Sequence, residues 1–251
     1  MLKMNYKNKV VSFTVSMAMV MQFVLPTMSY AQNGGTTSDN FCSRIETVFS
    51  QIDQRMASRQ AKLAQINSQR QSNLAANRNR VDTELAKKRS DWSSNRAKQY
   101  AALESRAKTP EQVEAVGIFK ASIEEAIATR KTAVDAAMSA FRSSLDQNII
   151  TRNTAITAAI TNFTNKTNAA QDKAKADCAA KVKILTIAKN YRTSMVSART
   201  EYLNALRAIE KINAVNLLAI RRQAINKAIS DFLAASEKAR IALKAAFGEE
   251  K

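Results

Sequence analysis

Apolar residues recur along the first half of the chain with the spacing of one face of an α-helix. Intervals of 7, 4, 7 and 11 residues separate them and then repeat, which corresponds to about 3.6 residues per turn. The positions are Ile45, Ile52, Met56, Leu63, Leu74, Val81, Leu85, Trp92 and Leu103. The pattern predicts a helix over 41–107. Polar residues on the same face, such as Arg59, Arg70 and Lys88, indicate that its contact with a partner helix is narrow.

A denser pattern predicts a second helix over 110–177, with apolar residues three or four positions apart from Val116 to Phe163. This helix contains a repeat, because 129–141 matches 151–163 at an offset of 22 residues with seven of 13 positions identical. Such tandem units resemble those of the exchangeable lipid-binding apolipoproteins. Arg130 and Arg152 supply few cations for a lipid-type basic rim, so duplication within a structural helix is the favoured interpretation.

A third periodic run covers 182–247 and ends before Gly248. The predicted fold class is therefore all-α, as an elongated antiparallel helical hairpin or a three-helix coiled-coil-like bundle. Residues 41–178 form the hairpin, and 179–251 form a third long helix that packs on it. Because 177–183 contains no helix breaker, two alternatives stay open: the third run continues the second helix, or it folds back on itself near 213–216.

Thr109 and Pro110 mark the predicted hinge of the hairpin. A threonine N-cap, a proline at the first helical position and Gln112 three residues after the cap are typical of a helix start. Cys42 and Cys178 each lie 68 residues from Pro110, so an antiparallel hairpin brings them opposite each other. In an exported protein this arrangement predicts a disulfide bond. The alternatives are two unrelated thiols or a bond between two protomers.

The N-terminus has the pattern of a secretory signal peptide over 1–31. Three lysines precede an apolar stretch over 10–25, and small residues before Gln32 are typical of a cleavage site. The alternative is an uncleaved N-terminal anchor helix, although the stretch is shorter than the roughly 20 residues of a membrane-spanning helix. A flexible linker is predicted over 32–40. We expect export to the periplasm, the cell surface or the exterior.

Arginine and lysine are densest over 55–106, where 12 cations stand against 4 acids, a net charge of +8. Such a field attracts polyanions, and outside the cytoplasm these are anionic envelope polymers or membrane surfaces, with extracellular nucleic acid a less expected partner because aromatic residues are few. The alternative is a solvated face that only keeps the protein soluble. The candidate polyanion-binding residues are Arg55, Arg59, Arg70, Arg78, Arg80, Lys87, Lys88, Arg89, Arg96 and Lys98.

The composition argues against catalysis. The chain has no histidine, which removes histidine-based acid–base chemistry and histidine zinc sites. Its four glycines do not form a phosphate-binding loop. Adjacent carboxylates such as Glu124 and Glu125 point apart on a helix. We therefore expect no enzymatic activity, no cofactor, no metal site and no small-molecule substrate.

A basic, exported helical hairpin over about 44–175 resembles the Skp-type periplasmic chaperones, whose coiled-coil arms hold unfolded outer-membrane proteins. The chain differs from them in having no strand-forming segment and in having an additional helical third. Three hypotheses follow: an exported non-enzymatic interaction protein that binds anionic surfaces or polymers through a basic helix face, a holdase chaperone, and an apolipoprotein-like lipid-surface binder. A protein partner or self-association is compatible with each of them.

Overall fold

The computed structural model describes residues 38–209 and 214–248. The predicted signal peptide and residues 32–37 of the predicted linker lie outside the described residues. Four helices are present: α1 (Ser38–Arg106), α2 (Pro110–Ala179), α3 (Ile184–Ala208) and α4 (Ala214–Ala246). The described residues contain no strand, and the predicted all-α fold class is confirmed.

The connection between α1 and α2 uses the cap that the sequence indicates. The backbone N–H of Gln112 donates to Oγ1 of Thr109 at 3.3 Å, and Oε1 of Gln112 accepts from the backbone N–H of Lys108 at 2.8 Å. These bonds satisfy backbone groups that a helix end would otherwise leave unpaired. The same end lowers the pKa of Glu111, whose carboxylate accepts from its own backbone N–H and from the Thr109 hydroxyl.

The predicted boundary between the second and third helical runs is present, whereas the prediction of one uninterrupted third helix over 179–251 is wrong, because a break between α3 and α4 divides this segment. α2 ends at Ala179, and Lys181 adopts a positive φ of 54°, so α2 does not continue into α3. The backbone N–H of Val182 donates to the carbonyl of Asp177 at 3.0 Å, which closes the helix end. A second interruption follows α3, where Ile209 is extended. Neither end is marked by glycine or proline, which is why the apolar period looked continuous.

The chain forms two compact units. In the first, residues 38–58 of α1 and 150–179 of α2 pack with α3. Phe49 of α1 lies against Tyr191 of α3 with ring centroids 5.1 Å apart, and Phe163 of α2 lies against Tyr202 of α3 at 5.4 Å. Small side chains on α2 let the other two helices approach closely. The buried apolar residues are Ile45, Phe49, Met56, Ala159, Phe163, Ala170, Ala174, Ile187, Tyr191, Met195, Ala198 and Tyr202.

The predicted disulfide bond is present in this unit. Cys42 and Cys178 are bonded, and their Cα atoms are 5.9 Å apart. The bond joins the first turns of α1 to the last turn of α2. Farther along the same two helices, Nε2 of the buried Gln171 donates to Oδ1 of Asp53 at 3.1 Å, so a polar contact also links them. Closing a loop of this length stabilises by about 2–5 kcal/mol.

The second unit contains 59–106 of α1, 110–149 of α2, and α4. Its buried apolar residues are Val116, Ala126, Leu145, Ala228 and Ala239, and only Val116 and Leu145 are larger than alanine. None of these residues belongs to α1. The contact of α1 with α2 in this unit therefore depends on other interactions, and these involve the candidate functional residues.

Candidate functional site

Five ion pairs join α1 to α2 in the second unit, and we call this set the ion-pair ladder. Arg78 donates from both terminal nitrogens to Asp146 at 2.9 and 2.8 Å, and Arg89 donates to Asp135 at 3.3 and 2.5 Å. In two antiparallel helices joined near residue 110, the residue numbers of facing residues have a nearly constant sum. That sum is 224 in four of these pairs and 220 in the fifth. The ladder consists of Arg78–Asp146, Asp82–Arg142, Arg89–Asp135, Arg96–Glu124 and Glu104–Lys120.

Three of the carboxylates in the ladder have a lowered pKa, which favours their charged form. Hydrogen bonds from Arg142 lower the pKa of Asp82, and those from Arg89, assisted by Lys131, lower the pKa of Asp135. Arg96 lowers the pKa of Glu124 in the same way. The Arg89–Asp135 and Arg96–Glu124 pairs are partly exposed, so each of these two contributes modestly, about 0.2–1 kcal/mol. Few apolar side chains are buried in this unit, and the ladder fixes the register of α1 against α2 and matches the charges of the two helices.

Tyr100 extends the ladder at Glu124. Its hydroxyl donates to Oε1 of Glu124 at 3.1 Å, and its ring meets Phe119 edge-on at 6.4 Å. Burial, reinforced by the bond to Glu124, raises the pKa of Tyr100 to about 12. The hydroxyl therefore stays protonated and serves as a donor at neutral pH.

The structure separates the ten predicted polyanion-binding residues into groups. Three of them, Arg78, Arg89 and Arg96, belong to the ladder. Two more are paired one turn along α1, because Arg80 lies 2.8 Å from Glu84 and Lys87 lies 3.2 Å from Asp91. Arg59 is partly buried and is not free. The four that form no ion pair among the described residues are Arg55, which belongs to the first unit, and Arg70, Lys88 and Lys98, which belong to the second.

Within the second unit, the unpaired cations of α1 lie on one side of the helix. At about 100° per residue they fall within a sector of roughly 80° that borders the apolar face of α1. Arg70 and Lys88 lie about 20° from Val81 around the helix axis, and Arg70 is half-buried. No acid in the described residues pairs with them. We call this surface the basic sector, and it consists of Lys62, Arg70, Lys88, Lys98 and Arg106.

A second feature, which the sequence did not reveal, is a groove between α2 and α4. It has a volume of about 550 Å³, and alanines form much of its lining. Arg130 of α2 lies at one end with its guanidinium carbon 4.1 Å from the centroid of the Phe232 ring of α4. Arg221 of α4 stacks on Phe141 of α2 in the same manner at 4.5 Å. The only sequence signal was the 22-residue repeat, in which Arg130 corresponds to Arg152 and Phe141 corresponds to Phe163.

Two further observations concern metal ligands and membrane spans in the described part of the chain. No group of three or more His, Cys, Asp or Glu side chains is close enough there to hold a metal ion. None of the helices described is at once long enough and apolar enough to span a membrane.

Comparisons of the chain with family models, with curated proteins and with solved structures gave no match.

Proposed function

We propose that this protein is an exported, non-enzymatic interaction protein that binds anionic polymers or surfaces of the cell envelope through the basic sector of α1. The observation that carries the proposal is that Lys62, Arg70, Lys88, Lys98 and Arg106 have no acidic partner within 38–209 and 214–248, on a helix whose other cations are mostly paired. Cations that stabilise the fold have partners within it. Cations without partners are free to neutralise an external anion.

The geometry of the basic sector suits a linear or planar polyanion. A single straight helix presents the five side chains along one side, so they meet an extended row of negative charges without rearrangement. The arginines of the ladder are already compensated by α2, and the acids Glu84 and Asp91, which lie on the same side of α1 as the basic sector, are paired with Arg80 and Lys87. The uncompensated charge of this part of α1 therefore lies on the basic sector. Binding of this kind is electrostatic, and we expect it to weaken steeply with salt.

Export follows from the predicted signal peptide, and it places the partner outside the cytoplasm. Removal of 1–31 leaves 36 cations and 21 acids, a net charge of +15. N-terminal sequencing of the protein recovered from expressing cells tests this part of the proposal. A first residue of Gln32 supports cleavage, whereas retention of Met1 indicates the alternative, an N-terminal anchor.

A charge-matched pair of variants tests the role of the basic sector. The first variant replaces its five residues with glutamine. The second replaces five exposed cations elsewhere with glutamine, so that both lose the same net charge; these are Lys189, Arg192, Arg222, Lys238 and Lys244. We expect the affinity for labelled heparin and for phosphatidylglycerol vesicles to fall at least tenfold in the first variant and far less in the second.

The outcomes discriminate between the hypotheses. Equal losses in the two variants would reduce the basic sector to a contribution to net charge and would refute the proposal. Binding that resists high salt and prefers unfolded protein clients would favour the holdase chaperone. Thermal unfolding of both variants, followed by circular dichroism, shows whether the fold is retained.

A further inference from the structure

The groove between α2 and α4 in the second unit has the form of a ligand site. Its apolar end is lined by Ile118 and Phe119 from α2 and by Leu243 from α4. Alanines from both helices form the floor, which leaves room that larger side chains would fill. A mostly apolar cleft of a few hundred Å³ with one or two polar groups at its end is typical of small-molecule sites.

Arg130 closes the other end of the groove and has no acidic partner among the described residues. Its planar face rests on Phe232, which leaves the hydrogen-bond donors at its edge for another group. Arg89 and Arg96 are close enough to act on it electrostatically, and together with burial they lower the pKa of Arg130. Both of those arginines are bound to carboxylates of the ladder, whereas Arg130 is not.

The other charged residues of the groove do not compensate Arg130. Asp231 is paired with Lys227 at 2.8 Å. Glu125 and Lys238 line the middle of the groove on opposite helices without forming an ion pair. The arginine end therefore presents an uncompensated cation beside an apolar channel.

We propose that this groove binds a single-chain anionic amphiphile, with its carboxylate on Arg130 and its hydrocarbon chain along the alanine-lined floor toward Phe119. A guanidinium binds a carboxylate through two parallel hydrogen bonds. The 11 residues from Phe119 to Arg130 extend about 16 Å along α2. One acyl chain covers roughly 15 Å, half of the hydrocarbon core of a bilayer. Length, polarity and charge of the groove all correspond to a fatty carboxylate.

This site is separate from the basic sector. The groove is formed by α2 and α4, and no residue of the basic sector lines it. Failure of either proposal therefore leaves the other standing. The lipid-binding interpretation of the 22-residue repeat concerned a basic rim on the helix surface, whereas this proposal concerns one half-buried arginine that lines a groove.

The test is calorimetric titration of the full mature chain with sodium laurate below its micelle concentration. We expect Arg130→Gln to weaken binding about tenfold, and Ala235→Trp, which fills the groove from the exposed side of α4, to abolish it. Arg152→Gln is the matched control, because Arg152 occupies the corresponding position of the repeat and lies outside the groove; its affinity should be unchanged. Dodecyltrimethylammonium, with the same chain length and the opposite charge, should not bind.

Equal laurate affinity in Arg130→Gln and the unmodified chain would overturn the proposal, as would tight binding of the cationic amphiphile. A dimer that Ala235→Trp disrupts, found by sedimentation without any laurate binding, would assign the groove to a second copy of the chain and would likewise overturn it. If Arg130→Gln does not fold, Arg130→Lys keeps the charge, and it should bind laurate more weakly because it lacks the bidentate geometry.

Discussion

Arginines that are indistinguishable in the local sequence differ in what they do. Arg78 and Arg89 each donate two hydrogen bonds to a carboxylate of α2, whereas Arg70 on the same helix has no acidic partner in the part of the chain that the structure describes. The partners of the paired arginines lie 68 and 46 residues away. A net charge counted over a window therefore overstates how much of the charge is free to bind other molecules.

A double-mutant cycle on Arg89 and Asp135 tests the ladder. We expect Arg89→Gln and Asp135→Asn to show a coupling energy of about 0.5–1 kcal/mol in urea unfolding, because the bidentate pair is partly exposed. The exposed pair of Arg80 and Glu84 within α1 is the control and should show a smaller coupling. Equal coupling energies in the two cycles would show that an interhelix pair of the ladder stabilises the protein no more than a pair within one helix.

The carboxylates of the ladder also predict how stability depends on pH. The pKa values of Asp82, Asp135 and Glu124 are lowered from their ordinary values of 3.8 for Asp and 4.5 for Glu. The stability that they contribute is present above those ordinary values and is lost as the pH falls through the lowered ones. Urea unfolding at neutral pH and in steps through the acidic range should show this loss. Asp135→Asn should show a smaller loss, and a protein whose stability is constant down to the most acidic step would contradict it.

At the scale of elements, α2 contains one sequence motif twice and uses it in two ways. Phe163 is 2% exposed and packs on Tyr202 of α3 in the first unit. Phe141, its counterpart 22 residues earlier, is only partly buried and carries Arg221 of α4 over its ring. A single repeated pattern therefore supports a compact core in one unit and a thin contact in the other.

Substitution of the two phenylalanines measures that difference. We expect Phe163→Ala to lower the free energy of unfolding by about 3–5 kcal/mol, since it leaves a cavity among fully buried side chains. Phe141→Ala should cost clearly less, because its ring already contacts water. Thermal unfolding followed by circular dichroism gives both values under the same conditions. Equal losses in the free energy of unfolding would show that side chains are buried as completely in the second unit as in the first.

Part of this arrangement was predictable because its signals are local. The period of the apolar residues indicated long helices, and the cap at Thr109 and Pro110 indicated where the first turn lies, so the Cys42–Cys178 pairing followed from equal distances along the chain. The end of α2 was predicted within a few residues, although Lys181 adopts the left-handed conformation that glycine usually marks. The break between α3 and α4 was left as an alternative, since neither glycine nor proline marks the end of α3. The groove was not predicted either. In the sequence, alanines indicate only a helix, and nothing shows that several of them will line one cavity.

At the scale of the whole molecule, the chain has a net charge of +18 and distributes it unevenly. The disulfide and the aromatic contacts stabilise the first unit. In the second unit, arginines of α1 form the ion pairs of the ladder and so join α1 to α2. The cations over 62–106 of α1 that form no ion pair among the described residues lie together in the basic sector. These are the cations that we propose to bind an anionic partner.

The most direct test of this account is the salt dependence of binding to a short DNA duplex, used here only as a linear polyanion of known charge spacing. Each neutralised phosphate contributes about −0.9 to the slope of log affinity against log salt. We expect a slope of about −4 for the mature chain and a value near zero for the variant with glutamine at all five positions of the basic sector. The same slope in both proteins would contradict the claim that this surface of α1 binds polyanions.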